Sequence, residues 1–255
     1  MRNGTCSWAV VAVASLGGLW AQEAAAPEKL NITAEQVLEK SIAAAGGAKA
    51  FENLKSSYAK ATLELPAMGV TADLEIWAKA PNKQLTVTTV EGLGELRQGC
   101  DGQSAWSENP MTGLVVLDGE GAAVVRREAV FNAELKWREL YPKAELKGKQ
   151  KLDERDVYVL EMTPAEGRPV LRYYDAETFH LVRVDMHQPT MQGVNLVTTL
   201  FSDYKEFEGR TMPYLMKQNI PEGEVIIKIA EMKSNVEIDD AKFAKPGPPP
   251  AAEQK

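Results

Sequence analysis

"VTADLEIWAK", residues 70–79, decides how this chain is read. Val70, Ala72, Leu74, Ile76 and Ala78 alternate with Thr71, Asp73, Glu75, Trp77 and Lys79. A period of two sends alternate side chains to opposite faces of an extended strand, one face for a core and one for water. Trp77 is the exception, an indole on the otherwise polar side. Similar segments recur at 57–65, 83–90, 157–163, 169–174, 179–187, 194–205, 212–219 and 224–233. Turn signals separate many of them: "DER" at 153, "DAET" at 175, "EGR" at 208 and "PEGE" at 221. Short strands joined by tight turns make antiparallel neighbours, so the expectation is a meander that curls into a barrel or half-barrel.

Upstream of Ser57 the period is helical. In "NITAEQVLEKSIAAAGG" Thr33 stands three residues before Gln36, the spacing of a capping box. Val37, Leu38, Ser41, Ile42 and Ala45 share one face, and Gly46 or Gly47 supplies the left-handed residue that ends the helix. A second short helix is expected around Ala48 to Leu54. Further upstream, Arg2 precedes an apolar run from Trp8 to Trp20, and small residues follow. This pattern predicts a secretory signal peptide over residues 1–26. The run is shorter than the roughly 20 apolar residues of a membrane helix, so no stable span is expected in the mature chain. Cleavage removes Cys6 and leaves Cys100 alone, so no internal disulfide staples the fold.

The 255 residues are 44% hydrophobic and 25% charged, enough for one large β domain, assigned to 27–246. The tail, 247–255, is proline-rich and expected to be disordered. A net charge of -7 argues against a nucleic-acid groove and against a polybasic grip on anionic lipid.

"RQGCDGQSAW" (97–106) gathers a thiol, a carboxylate, a hydroxyl and an indole. Asp101-Gly102 is a two-residue hairpin signal, type I′, with Cys100 ending one strand and "QSAWS" opening the next. A catalytic cysteine needs a base, and the only histidines are His180 and His187. Seven residues apart in one strand, those two face opposite sides and cannot share a metal. Ser104 lacks the nucleophile elbow, and there is no phosphate loop, His-x-x-Glu-His or CxxC. The residues single out no enzyme, cofactor or metal site.

One helix is expected to interrupt the meander, from Gly119 to Tyr141. Val124, Phe131 and Leu135 form one stripe; Val130, Trp137 and Tyr141 form another, roughly 120° around. A helix with two apolar sides touches two apolar surfaces, either wedged into the core or covering a cavity as a lid. Several strands are also apolar on both sides, "VYVLEM" (157–162) and "EVIIKIAEM" (224–232) among them. Such strands are covered twice, by helices or by an apolar ligand. Met68, Met162, Met186, Met191, Met212, Met216 and Met232 add adaptable side chains.

"VLEKSIAAAGGAKAFENLKS", "CDGQSAW", "YDAETFHLVRV", "FSDYKEFEGRTMPYLM" and "VEIDDAKFAKP" follow one another in an order that resembles the periplasmic outer-membrane lipoprotein-sorting proteins, the LolA/LolB-like group. The resemblance spans Ala34 to Pro246. It implies a strongly curved antiparallel sheet, an unclosed barrel, with helices covering the concave face and a cavity for lipid or lipoprotein acyl chains. It also implies a polar residue inside the barrel that holds the lid, with Arg97 and Arg172 as candidates. On this reading the chain is a periplasmic, non-enzymatic carrier or binding protein without a cofactor. The expected cavity residues are Trp77, Trp106, Val124, Phe131, Leu135, Leu160, Met162, Tyr173 and Met216. Two alternatives stand beside it: an envelope protein-interaction domain whose core is filled by its own helices, and a hydrolase.

Overall fold

The computed structural model describes residues 30–190, 193–221 and 223–247. The expected signal peptide, Met191 and nearly all of the tail lie outside them. Thirteen strands form one antiparallel sheet: β1 (Ser56–Leu65), β2 (Val70–Lys79), β3 (Lys83–Val90), β4 (Gly94–Cys100), β5 (Ala105–Asn109), β6 (Gly113–Val116), β7 (Lys143–Leu152), β8 (Arg155–Thr163), β9 (Val170–Asp175), β10 (Leu181–Thr190), β11 (Gly193–Phe207), β12 (Arg210–Ile220) and β13 (Gly223–Ser234). The order is β6-β5-β4-β3-β2-β1-β13-β12-β11-β10-β9-β8-β7. Two meanders, β1–β6 and β7–β13, are therefore joined by one non-sequential pair, the first strand against the last. The edges are β6 and β7, and the sheet is not closed.

Helix α1 (Ala34–Ala44) begins with the expected capping box: Gln36 N–H donates to Thr33 Oγ1 at 3.2 Å and Thr33 N–H to Gln36 Oε1 at 2.9 Å. Gly47 N–H donates to the Ile42 carbonyl at 2.9 Å, and Gly46 and Gly47 both have positive φ. The chain then makes one short 3-10 turn, Ala48–Ala50.

The single helix expected from Gly119 to Tyr141 is two: α2 (Gly119–Glu128) and a one-turn α3 (Trp137–Leu140). Between them Asn132 takes φ 54, a left-handed value that an α-helix excludes. Asn132 Nδ2 donates to the Phe51 carbonyl at 3.2 Å and Phe131 N–H to the Pro81 carbonyl at 2.9 Å. The Phe131 N–H given to Pro81 cannot also continue an i to i−4 ladder, and the Asn132 side chain fixes the turn against Phe51. Two apolar stripes on one helical wheel were thus the signature of two short elements.

All three helices lie on one face of the sheet. Val37 and Leu38 of α1 and Trp137 of α3 pack on Leu160, Met162, Val170 and Tyr174 of β8 and β9. Ala122 and Val125 of α2 pack on Cys100 and Ala105. α2 also touches β10, eight strands away from β5 in the sheet. On a flat sheet that separation is about 38 Å, whereas a ten-residue helix is about 15 Å long. One helix reaches both only because the sheet is curled, and this face is the concave one.

Candidate functional site

Register locates the uncovered floor of the concave face. Phe201 pairs with Met216, Met216 with Ile227, Ile227 with Leu63, Leu63 with Ala72 and Ala72 with Val90. Directly opposed residues share a face, so one apolar row crosses β11, β12, β13, β1, β2 and β3. Six strands span about 24 Å. Of the six side chains only Ala72 is buried; the other five are half-buried. The row lies on the helix-bearing face, because Leu74 and Ala61 continue it in register toward the residues under α2.

The helices cover other parts of the concave face, and they do so differently. Beneath α1 and α3 the space is filled: Leu160 and Met162 are fully buried. Beneath α2 the contact is made by small side chains, Ala122, Val125 and Ala129. Small side chains leave α2 little adhesion to the floor. Ala123 and Val124 are buried as well, and the remaining holds are polar and exposed. Arg126 Nη2 lies 3.3 Å from Glu166 Oε2, Arg127 Nη1 donates to the Glu166 carbonyl at 3.3 Å, and Arg168 N–H donates to Glu120 Oε1 at 3.1 Å. A groove of about 580 Å³ runs between α2 and the β8–β9 loop, with Ala123 and Gly167 in its walls.

Arg172 is the polar residue beneath the helices. Its Nη2 donates to the Tyr141 hydroxyl at 3.0 Å, and its guanidinium sits 4.9 Å from the centre of that ring. Tyr141 closes α3, so this contact latches the helical cover to β9. Arg172 Nε and Trp137 Nε1 stay buried without partners, a cost that opening the cover to water would relieve. Arg97 does not share this role. It lies on the convex face opposite Val87 and forms an ion pair with Glu108 at 3.5 Å.

Of the nine expected cavity residues, Met216 stands in the floor row, Val124 is buried in α2, and Leu160 and Met162 are concave but enclosed. Phe131 and Leu135 belong to the link between α2 and α3; Phe131 is buried and Leu135 half-buried. Trp77, Trp106 and Tyr173 are corrections, for all three face the convex side. Trp106 lies across Gly99, against Leu85, Ile238 and Phe243, and its Nε1 donates to the Phe243 carbonyl at 3.2 Å. The segment after β13 crosses the outside of the sheet there, so an apolar outer face finds its cover in the chain itself. Trp77 sits beside it, with Lys242 Nζ 3.8 Å above the ring. Tyr173 packs with Val157, Val159 and Val182, its hydroxyl donating to Asp185 at 2.9 Å. Burial works to raise the Asp185 carboxyl, but hydrogen bonds from Arg183, Thr198 and Tyr173 outweigh it and hold it below the usual range.

The loop at 101–104 is a turn, longer than the two residues expected. Asp101 Oδ1 accepts from Gln103 N–H and Ser104 N–H at 2.8 Å, and only Gly102 has positive φ. Cys100 is buried under α2, and that burial pushes its thiol pKa up, away from a reactive thiolate. His180 stacks on Tyr204 at 4.4 Å between ring centres.

No protein-family model matches the sequence, and no curated protein matches it. Solved structures do match. A DUF1329 family protein of Desulfovibrio piger superposes with a TM-score of 0.56 at 15% identity, covering 83% of this chain and 97% of that one. A LolA superfamily protein of Nitrosomonas europaea gives 0.56 at 18% identity, covering 84% and 98%. A domain of Vibrio parahaemolyticus named for outer-membrane lipoprotein sorting gives 0.55 at 15%, covering 83% and 97%. In its fold, a curved and unclosed antiparallel sheet carrying helices on its concave face, this chain resembles these LolA-like structures.

Proposed function

We propose that the protein is a periplasmic, non-enzymatic carrier that holds the acyl chain of a lipid or lipoprotein on the concave face, beside the helices. The apolar row from Phe201 to Val90 carries this reading. Five half-buried hydrophobic side chains in register across six strands form a linear surface that no helix fully covers. An alkyl chain matches it in shape and polarity, and burial of apolar area supplies the affinity. The Tyr141–Arg172 contact and the weak seat of α2 provide a cover that can part.

The test is binding of a fluorescent fatty acid by the purified protein and its Met216→Glu variant, each with a thermal melt. A carboxylate against an alkyl chain costs several kcal/mol, so affinity falls by at least about a hundredfold while the melt stays cooperative. Equal binding by both proteins, or none by the parent, sinks the carrier reading.

A second reading, an envelope protein-interaction domain with a self-filled core, draws on the closed packing of Leu160 and Met162 under α1 and α3. Native mass spectrometry of protein purified from its own envelope separates the two. Co-purifying lipid supports the carrier, and a stoichiometric protein partner supports the alternative.

A further inference from the structure

The two edges of the sheet are built differently. β7 carries Lys143, Lys147, Lys149 and Lys151 and a register shift between Leu146 and Gly148. Charge and irregularity on an edge prevent pairing with another strand. β6 is Gly-Leu-Val-Val, without a charge or a shift, and Val115 and Val116 are 42% and 51% exposed. Beside it, Met111 in the β5–β6 turn is 76% exposed.

Hydrogen-bond parity fixes what this edge offers. Leu117 N–H donates to the Ala105 carbonyl at 2.9 Å, and Val115 pairs with Ser107 in the same register. Alternate residues of an antiparallel strand direct their backbone groups to opposite sides. Val115 and Leu117 therefore turn theirs to β5, while Leu114 and Val116 turn theirs outward, two donors and two acceptors centred on Val115. A two-fold axis through Val115 satisfies all four. Leu114 exchanges both bonds with Val116 of a second copy, Val116 exchanges both with its Leu114, and the two Val115 side chains meet without bonds between their backbones. Self-pairing opposes identical residues at the axis. On β6 it brings valine to valine, and on β7 it brings lysine to lysine.

We propose that β6 is the contact surface for a second copy of this chain, a two-fold antiparallel strand pair that joins two sheets into one. The contact is four residues long on each side, below the area of a permanent interface, so the dimer forms reversibly as concentration rises.

Two variants test it by sedimentation and crosslinking. Val116→Pro removes an outward N–H and leaves the β5 ladder intact, since proline is tolerated on an edge where its nitrogen faces away. Val115→Cys places two thiols across the axis. The parent protein should show a concentration-dependent dimer and Val116→Pro a folded monomer by circular dichroism. Val115→Cys should form a covalent dimer under mild oxidant, and Met111→Cys, off the axis, should form much less. A parent that stays monomeric at about 1 mM, or a Val116→Pro protein that dimerises like it, overturns the proposal. Equal crosslinking at 111 and 115 overturns the register.

Discussion

At the residue scale, two adjacent glycines that look interchangeable in the sequence do different work. Gly46 has φ +111, and a Cβ built on it would lie 2.1 Å from the Gly209 carbonyl oxygen, at the β11–β12 turn. The same docking is fastened by Thr211 N–H donating to the Ala45 carbonyl at 3.1 Å. Gly47 has φ +77 and open space around it. With ψ 164 it lies in a region essentially reserved for glycine, so alanine at 47 meets backbone strain alone, about 1–3 kcal/mol. Alanine at 46 adds a collision with backbone that cannot step aside, for a total of at least about 3 kcal/mol. Urea titration of the two variants checks this, and equal losses would mean that α1 is not seated on Gly209. "AAGGAK" predicted a helix end, but no local signal tells which glycine touches a turn more than 160 residues away.

At the element scale, α2 is held by a thin apolar contact and by ion pairs that water reaches. The side chains of Arg126 and Glu166 are 41% and 73% exposed, and those of Arg168 and Glu120 are 50% and 25% exposed. Pairs of this kind are individually weak and are screened by salt. Amide exchange in α2 should therefore quicken severalfold between 0.05 and about 1 M NaCl. Exchange in α1, which is buried against Leu160 and Met162, should hold steady. Salt-independent protection of α2 would mean that the groove beside it plays no part in holding the cover. The sequence had shown this helix as amphipathic on two sides. It could not show the break, because the break comes from Phe131 and Asn132 hydrogen-bonding to Pro81 and Phe51, residues distant in the chain.

At the scale of the whole molecule, the segment after β13 acts as a strap across the outside of the sheet. Ser56 Oγ donates to the Val236 carbonyl at 2.6 Å, Lys79 Nζ to the Ile238 carbonyl at 2.8 Å, and Lys79 and Lys83 both reach Asp240 at 2.7 Å. Phe243 is fully buried beneath it with Trp106 and Leu85. Truncating a buried phenylalanine removes its transfer energy and leaves a cavity, so Phe243→Ala should cost about 3–5 kcal/mol in thermal or urea unfolding. A loss below about 1 kcal/mol would show that the sheet holds its β2–β5 half without the strap.

Pattern alone determined the class of fold, because an alternating strand and a capped helix are local events. The capping box at Thr33, the period of two at 70–79 and the turn after Cys100 depend on neighbours a few residues away. β6 and β7 escaped notice for the same reason: one is four residues long, and the other is rich in lysine, which reads as surface. The face that each apolar strand side meets was decided only by tertiary structure. Trp77, Trp106 and Tyr173 look like cavity residues until the sheet curls and the chain's own end covers the convex side. Alternation says that a side chain is buried on one of two faces, whereas concave and convex are defined only when the first strand pairs with the last.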